Sequence, residues 1–253
     1  MMLQLTNVSF KPQGKLLLNQ VSISVKAGEV YGLLGANGAG KTTLLKAISG
    51  DIKASGSITL YGKALAQWNR RELAKHLAVL PQSSQLTFPF SAREVVALGL
   101  TPLSLSKAQA ASLIDEKMHA TDCYSFADRA YPSLSGGERQ RVQLARVLLQ
   151  LSQARHSPLL LLDEPTSAQD LGQQHNLLRL TQTLVKKEGF GVVAILHDLN
   201  QVLRYCDRCC LLDQGRVSAV DSPDKLLSDE RIQQHWQYQP QRVVLGNGQT
   251  ALI

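Results

Sequence analysis

Gly35-Ala36-Asn37-Gly38-Ala39-Gly40-Lys41-Thr42 carries the spacing G-x-x-x-x-G-K-[ST], that of a phosphate-binding P-loop (Walker A). Glycines let such a loop curl into a nest whose backbone N–H groups converge on phosphate oxygens. Lys41 is long enough to reach a β- or γ-phosphate, and the Thr42 hydroxyl suits Mg²⁺. The flanks agree. Glu29-Val30-Tyr31-Gly32-Leu33-Leu34 reads as a buried strand entering the loop, and Thr43-Leu44-Leu45-Lys46-Ala47-Ile48 as an amphipathic helix leaving it. A helix N-terminus favours an anion. Residues 35–43 are therefore expected to hold phosphate.

Working outward, 253 residues suffice for one large α/β domain, with or without a smaller lobe. Lys and Arg number 27 against 20 Asp and Glu, a net charge of +7. The basic residues are scattered, in short pairs such as Arg70-Arg71 and Lys186-Lys187, and only 5% of residues are aromatic. A nucleic-acid stacking surface is not supported, so nucleic acid is not an expected partner. No apolar run is long enough to span a bilayer, and Met1-Met2-Leu3-Gln4-Leu5 lacks the basic and apolar regions of an export signal. The expectation is a chain that is neither exported nor membrane-spanning. Of four cysteines, Cys206 and Cys209 have metal-like spacing but no second pair follows. Arg208-Cys209-Cys210-Leu211-Leu212 reads instead as a buried strand.

The segment from Leu3 to Val25 alternates and is broken at Lys11-Pro12-Gln13-Gly14, as in an antiparallel sheet, and Ser57 to Lys63 reads as another short strand ending at a turn. Helical spacing follows over Ala92–Leu100, Lys107–Cys123 and Arg139–Gln150. Apolar runs at Leu159–Leu162 and Gly191–Leu196 suit central parallel strands covered on both faces. The expected fold is an α/β P-loop core with an antiparallel β subdomain and an inserted α-helical subdomain.

Leu159–Leu162 runs into Asp163-Glu164. A central strand would place both carboxylates at its C-terminal edge, where α/β sheets bind ligands. Asp163 is then the candidate for Mg²⁺, and Glu164 the candidate general base toward water. In Leu134-Ser135-Gly136-Gly137-Glu138-Arg139-Gln140, Ser135 and Glu138 have the spacing of a capping box. Two glycines in a first helical turn cost helix stability but leave N–H groups open to an anion.

Leu134–Gln140 resembles the signature motif of ATP-binding cassette (ABC) ATPases, and the P-loop, the Asp163-Glu164 strand and this motif occur in that family's order. The resemblance extends to about Val220 and implies a RecA-like core that hydrolyses ATP with Mg²⁺. It implies that Gln82 is the Q-loop glutamine facing metal and γ-phosphate. His197 corresponds to the switch histidine, and Ser167-Ala168-Gln169-Asp170 to the D-loop, where the family more often has leucine at Gln169. Phe10 corresponds to the aromatic that stacks on adenine, where the family more often has tyrosine. Lys41, Gln82, Glu164 and His197 are thus expected to arrange hydrolysis. Gly35 to Thr43, with Phe10, are expected to hold ATP, and Ser135, Gly136 and Gly137 to complete the site of a second copy. Thr42, Gln82 and Asp163 are expected at the metal.

The segments Phe88–Gly99, Gln140–Leu148, Gln174–Leu180 and His197–Asn200 further resemble ATPases of bacterial importers for haem, ferric siderophores and cobalamin, with the wording nearest to those for haem. That resemblance implies a homodimer, peripheral at the cytoplasmic face of the inner membrane, serving two permease subunits and, indirectly, a periplasmic binding protein. One domain is expected over 1–253: core at about 1–85 and 151–220, helical subdomain at 86–150, tail at 221–253. The rivals are an ABC protein of repair or translation, whose coiled-coil, zinc or second-cassette insertions are not seen here, and a P-loop kinase, which would carry no signature motif.

Overall fold

The computed structural model describes residues 1–82, 88–167, 169–246 and 248–253. Its strands are β1 (Leu3–Phe10), β2 (Leu18–Val25), β3 (Val30–Leu34), β4 (Ser55–Leu60), β5 (Lys63–Ala64), β6 (Leu77–Leu80), β7 (Leu159–Leu162), β8 (Gly191–Ile195), β9 (Arg208–Asp213), β10 (Arg216–Asp221), β11 (Arg242–Val244) and β12 (Thr250–Leu252). Its α-helices are α1 (Lys41–Ser49), α2 (Arg70–His76), α3 (Ala92–Ala97), α4 (Lys107–Ala120), α5 (Gly136–Leu151), α6 (Leu171–Glu188), α7 (Leu199–Tyr205), α8 (Pro223–Leu226) and α9 (Asp229–Trp236).

An antiparallel sheet of order β2-β1-β4-β5 stands beside a six-stranded sheet of order β10-β9-β3-β8-β7-β6. In the larger sheet β9, β3, β8, β7 and β6 run parallel, and only β10 is antiparallel to its neighbour. The four leucines of β7 show why its sequence is apolar throughout. Leu159 and Leu161 face one core with Leu44 and Ile48 of α1 and Val8 and Val21 of the antiparallel sheet. Leu160 and Leu162 face the opposite core with Leu144, Val147 and Leu148 of α5 and Leu177 and Leu178 of α6. All four are fully buried, and each contributes on the order of 1.5–3 kcal/mol of transfer free energy.

A third core gathers Val95, Val96, Ile114, Met118, Phe126, Val142 and Leu149 of the helical layer. Gly99 permits a close backbone approach: a Cβ there would lie 2.4 Å from the Arg146 carbonyl oxygen of α5. The expected start of this layer, near Leu86, lies outside the described residues.

Some boundaries differ from the sequence reading. Ser57–Lys63 is not one strand, because Tyr61-Gly62 turns the chain with φ of 53° and 74° and β5 folds back on β4. The helix expected to Leu100 becomes 3-10 after Ala97, and α4 ends at Ala120 rather than Cys123. Residues 221–253, read as a tail, carry α8, α9 and the β11–β12 hairpin. Leu226, Leu227, Ile232 and Leu252 are built into the core beside α6 and α7. All four cysteines are free thiols. Burial pushes Cys123 and Cys206 upward from the usual thiol range, and Cys209 and Cys210 to about 12.

Candidate functional site

Four adjacent parallel strands, β3, β8, β7 and β6 in spatial order, end along one edge. Their C-terminal ends deliver the Gly35–Lys41 loop, His197, the pair Asp163-Glu164, and Gln82 respectively. Residues far apart in sequence are thereby neighbours. Register locks them: Leu33 pairs with Ile195, Leu162 with Ala194, and Leu80 with Leu162. Beyond the ladder, Asp163 N–H still donates to the Leu80 carbonyl at 3.0 Å.

The loop itself is closed by backbone. Gly35 has φ +143°, and a Cβ there would lie 2.1 Å from the Leu212 carbonyl oxygen, a collision with β9. Gly40 has φ +103°, and its Cβ would meet the Leu17 carbonyl at 2.8 Å. Lys41 is buried, and its ammonium donates to the carbonyls of Gly35 at 2.7 Å and Ala36 at 3.1 Å. The loop therefore wraps around a cation. Burial lowers the Lys41 pKa below the ordinary lysine range, against the pull of Glu164 and Asp163. An incoming phosphate would relieve that desolvation.

Helix α1 supplies the second sign of fit to a nucleotide. Among the described residues it is the only α-helix of eight or more residues whose first turn receives no side-chain cap. It also has no acidic residue there. Its orphan N–H donors are thus available to phosphate oxygens. For the metal, Thr42 Oγ1 donates to Asp163 Oδ1 at 3.2 Å. Burial raises the Asp163 pKa, opposed by the Thr42 bond, while the Glu164 charge raises it further. A hydroxyl and a carboxylate side by side are hard oxygen ligands. They suit Mg²⁺, which takes one or two carboxylates and completes its shell with phosphate and water.

Glu164 is held on both sides. Gln82 Nε2 donates to its Oε2 at 2.6 Å, and His197 Nε2 lies 2.7 Å from its Oε1. The site thus joins Lys41, Thr42, Gln82, Asp163, Glu164 and His197. The Phe10 side chain packs on the core under the antiparallel sheet, and its carbonyl accepts from the N–H of Leu17, the residue whose own carbonyl a Cβ on Gly40 would meet, at 2.9 Å.

Ser135, Gly136 and Gly137 open α5 on the helical layer. Ser135 Oγ accepts from Glu138 N–H, and Glu138 Oε2 from Ser135 N–H, a complete capping box. Among the described residues no hydrogen bond joins residues 35–42 to residues 134–140. In the D-loop stretch Asp170 caps α6, while Ala168 lies outside the described residues.

Sequence reasoning missed four polar residues behind the site: Gln140, Gln174, Asn200 and Gln201. Gln140 and Gln201 are buried. For Gln140 the signal was available, since it lies on the α5 stripe that continues through Leu144, Val147 and Leu151, and a polar residue on an apolar stripe calls for a partner. Asn200 Nδ2 donates to the Leu252 carbonyl at 2.9 Å and its Oδ1 accepts from Leu252 N–H at 2.8 Å, fastening β12 to α7.

The ABC transporter family pattern matches residues 18–167. The chain is 48% identical to the hemin import ATP-binding protein HmuV of Shewanella denitrificans, over 95% of each chain. It is 48% identical to the protein of that name from Vibrio parahaemolyticus, over 92% of this chain and 89% of the relative. Its fold matches a structure described as an inward-facing ABC transporter of metal-chelate type, with a TM-score of 0.83 at 24% identity, over 100% and 96% of the two chains. It also matches a dimeric ATP-binding cassette bound to ADP and Pi, with a TM-score of 0.77 at 26% identity, over 88% and 99%. The chain belongs to the ABC transporter family, as an ATP-binding cassette that hydrolyses ATP.

Proposed function

We propose that this chain powers haem import as a homodimer at the cytoplasmic face of the inner membrane, beneath two permease subunits served by a periplasmic binding protein. Similarity to hemin import ATP-binding proteins along nearly the whole chain supports the cargo. Among the described residues no helix is long and apolar enough to cross a membrane, so separate permeases would provide the path.

The observation that carries the chemistry is Glu164 held between Gln82 and His197 at the end of β7. Residues 35–43 cradle the phosphates, Lys41 neutralises charge on them, and Phe10 lies against the adenine. Thr42, Asp163 and Gln82 hold Mg²⁺, which supplies further charge neutralisation when bound. Both Glu164 oxygens are engaged as the structure stands. A γ-phosphate competes as acceptor for Gln82 and His197, and its arrival frees Glu164 to accept a proton from water. The water oxygen then bonds to the γ-phosphorus as the bond to the β-phosphate oxygen breaks, giving ADP and phosphate. Preorganised donors contribute most of the rate. Ser135, Gly136 and Gly137 close on the ATP of the second copy.

Two experiments test this reading. In proteoliposomes holding the chain with its permease, haem-loaded binding protein is expected to raise ATPase activity. Stimulation confined to a ferric siderophore, to cobalamin or to DNA would replace the cargo or the class. For the dimer, Asn37 and Gly136 are both exposed. A chain carrying Asn37→Cys, Gly136→Cys and Glu164→Gln is expected to form an interchain disulfide with ATP present. A crosslink only within single chains, or none despite bound ATP, would leave Ser135 as a helix cap.

A further inference from the structure

We infer that Gln140, Gln174 and Gln201, one from each of three helices, are positioning residues that hold the turn after β7 in the shape that aims Glu164. This rests on the general-base role proposed above for Glu164.

The turn needs holding. Glu164 has φ 48°, a left-handed conformation that a non-glycine residue keeps only where its surroundings over-determine it. Locally, Ser167 N–H and Oγ both donate to the Glu164 carbonyl, at 3.3 and 3.0 Å. The next carbonyls lie beyond the sheet ladder; the Thr166 carbonyl accepts locally from Gln169 N–H at 3.4 Å, and the side-chain donors come from helices. Pro165 accepts from Gln140 Nε2 of α5. Thr166 accepts from Gln174 Nε2 of α6 at 3.0 Å, and the same nitrogen donates to Gln169 at 3.0 Å.

Gln201 of α7 closes the chain of bonds. Its Nε2 donates to Gln174 Oε1 at 2.7 Å, and its Oε1 accepts from Thr166 Oγ1 at 3.3 Å. Gln201 is 4% exposed and Gln140 6%, so water does not substitute freely for these partners. The placement of the helices gives the network its meaning. Helix α5 begins at Gly136, capped by Ser135, α6 follows the D-loop, and α7 begins two residues after His197. One set of amides thus fastens the general-base turn to the signature helix, to the D-loop and to the segment carrying His197.

A core-filling role would cost stability without a selective effect on chemistry. Gln201→Met keeps length and burial while deleting both amide bonds. In the purified full-length chain we expect kcat for ATP to fall roughly 10- to 100-fold, the scale on which catalytic misplacement acts. KM and calorimetric ATP affinity should stay within about twofold, because among the described residues none of these glutamines hydrogen-bonds to residues 35–42. Added to Glu164→Gln, the substitution should lower kcat no further, since it acts through the group already removed.

Thr166→Val removes only the hydroxyl bond and should give a smaller fall of the same kind. If Gln201→Met does not yield folded protein, Thr166→Val carries the test, alone and on Glu164→Gln. An unchanged kcat, an affinity loss as large as the kcat loss, or a fully additive fall on Glu164→Gln would overturn the inference. Wild-type turnover by Glu164→Gln alone would instead refute the site reading beneath it.

Discussion

Glu164→Gln is expected to slow ATP hydrolysis by roughly 10²-fold or more, the contribution of a positioned general base, while nucleotide still binds. The side chain keeps its shape but can no longer take a proton from water. Binding is expected to survive because the proposed phosphate contacts come from the loop around Lys41 and the open first turn of α1, not from Glu164 itself. One rearrangement is built into the substitution. Gln82 Nε2 and His197 Nε2 face opposite oxygens of the carboxylate, and an amide offers an acceptor to only one of them. Single-turnover phosphate release should show the rate loss, and size exclusion with ATP a persistent dimer. Normal turnover would remove Glu164 from the reaction.

Lys41→Ala should act at the opposite end of the pathway, on affinity. Hydrogen bonds to charged groups contribute about 1.5–3 kcal/mol, so MgATP should bind roughly 10- to 100-fold more weakly by calorimetry. The buried setting of Lys41 argues for the upper part of that range. Its ammonium is already desolvated, and two carbonyls occupy two of its three donors without neutralising its charge. The unliganded protein should melt within a few degrees of wild type, because deleting a buried cation also removes its desolvation cost. The stabilisation that ATP adds to the wild-type chain should largely disappear. Wild-type affinity in this variant would contradict the assignment of the loop.

The clearest readings in the sequence were those in which a local rule and a tertiary demand coincide. Gly35 and Gly40 spell the loop because a Cβ would strike the carbonyls of Leu212 and Leu17, so spelling and geometry carry the same information. Leu159–Leu162 announced a central strand because both faces of β7 are covered. Ser135 and Glu138 announced a helix start because a capping box is local chemistry.

What stayed hidden depends on strand order and long-range partners. Nothing in residues 30–34 says that β3 lies between β8 and β9. Gln174 and Gln201 lie 27 positions apart, and each alone resembles a solvated helix residue until α6 and α7 are packed together. The elements within residues 221–253 stayed hidden for a related reason. Short helices with few apolar residues give weak periodic signals, and Leu226, Ile232 and Leu252 reveal themselves only by the core that receives them.

The buried sulfurs have a consequence for chemical labelling. Thiolate is the form that attacks maleimides and that peroxide oxidises. Cys123, Cys206, Cys209 and Cys210 are all displaced toward the protonated form by burial. Near neutral pH the wild-type polypeptide should therefore take up dye slowly while folded, almost as a cysteine-less protein would. Fluorophores or spin labels attached through a single cysteine at Asn37 or Gly136 would then report on those positions alone, with the four native residues left in place.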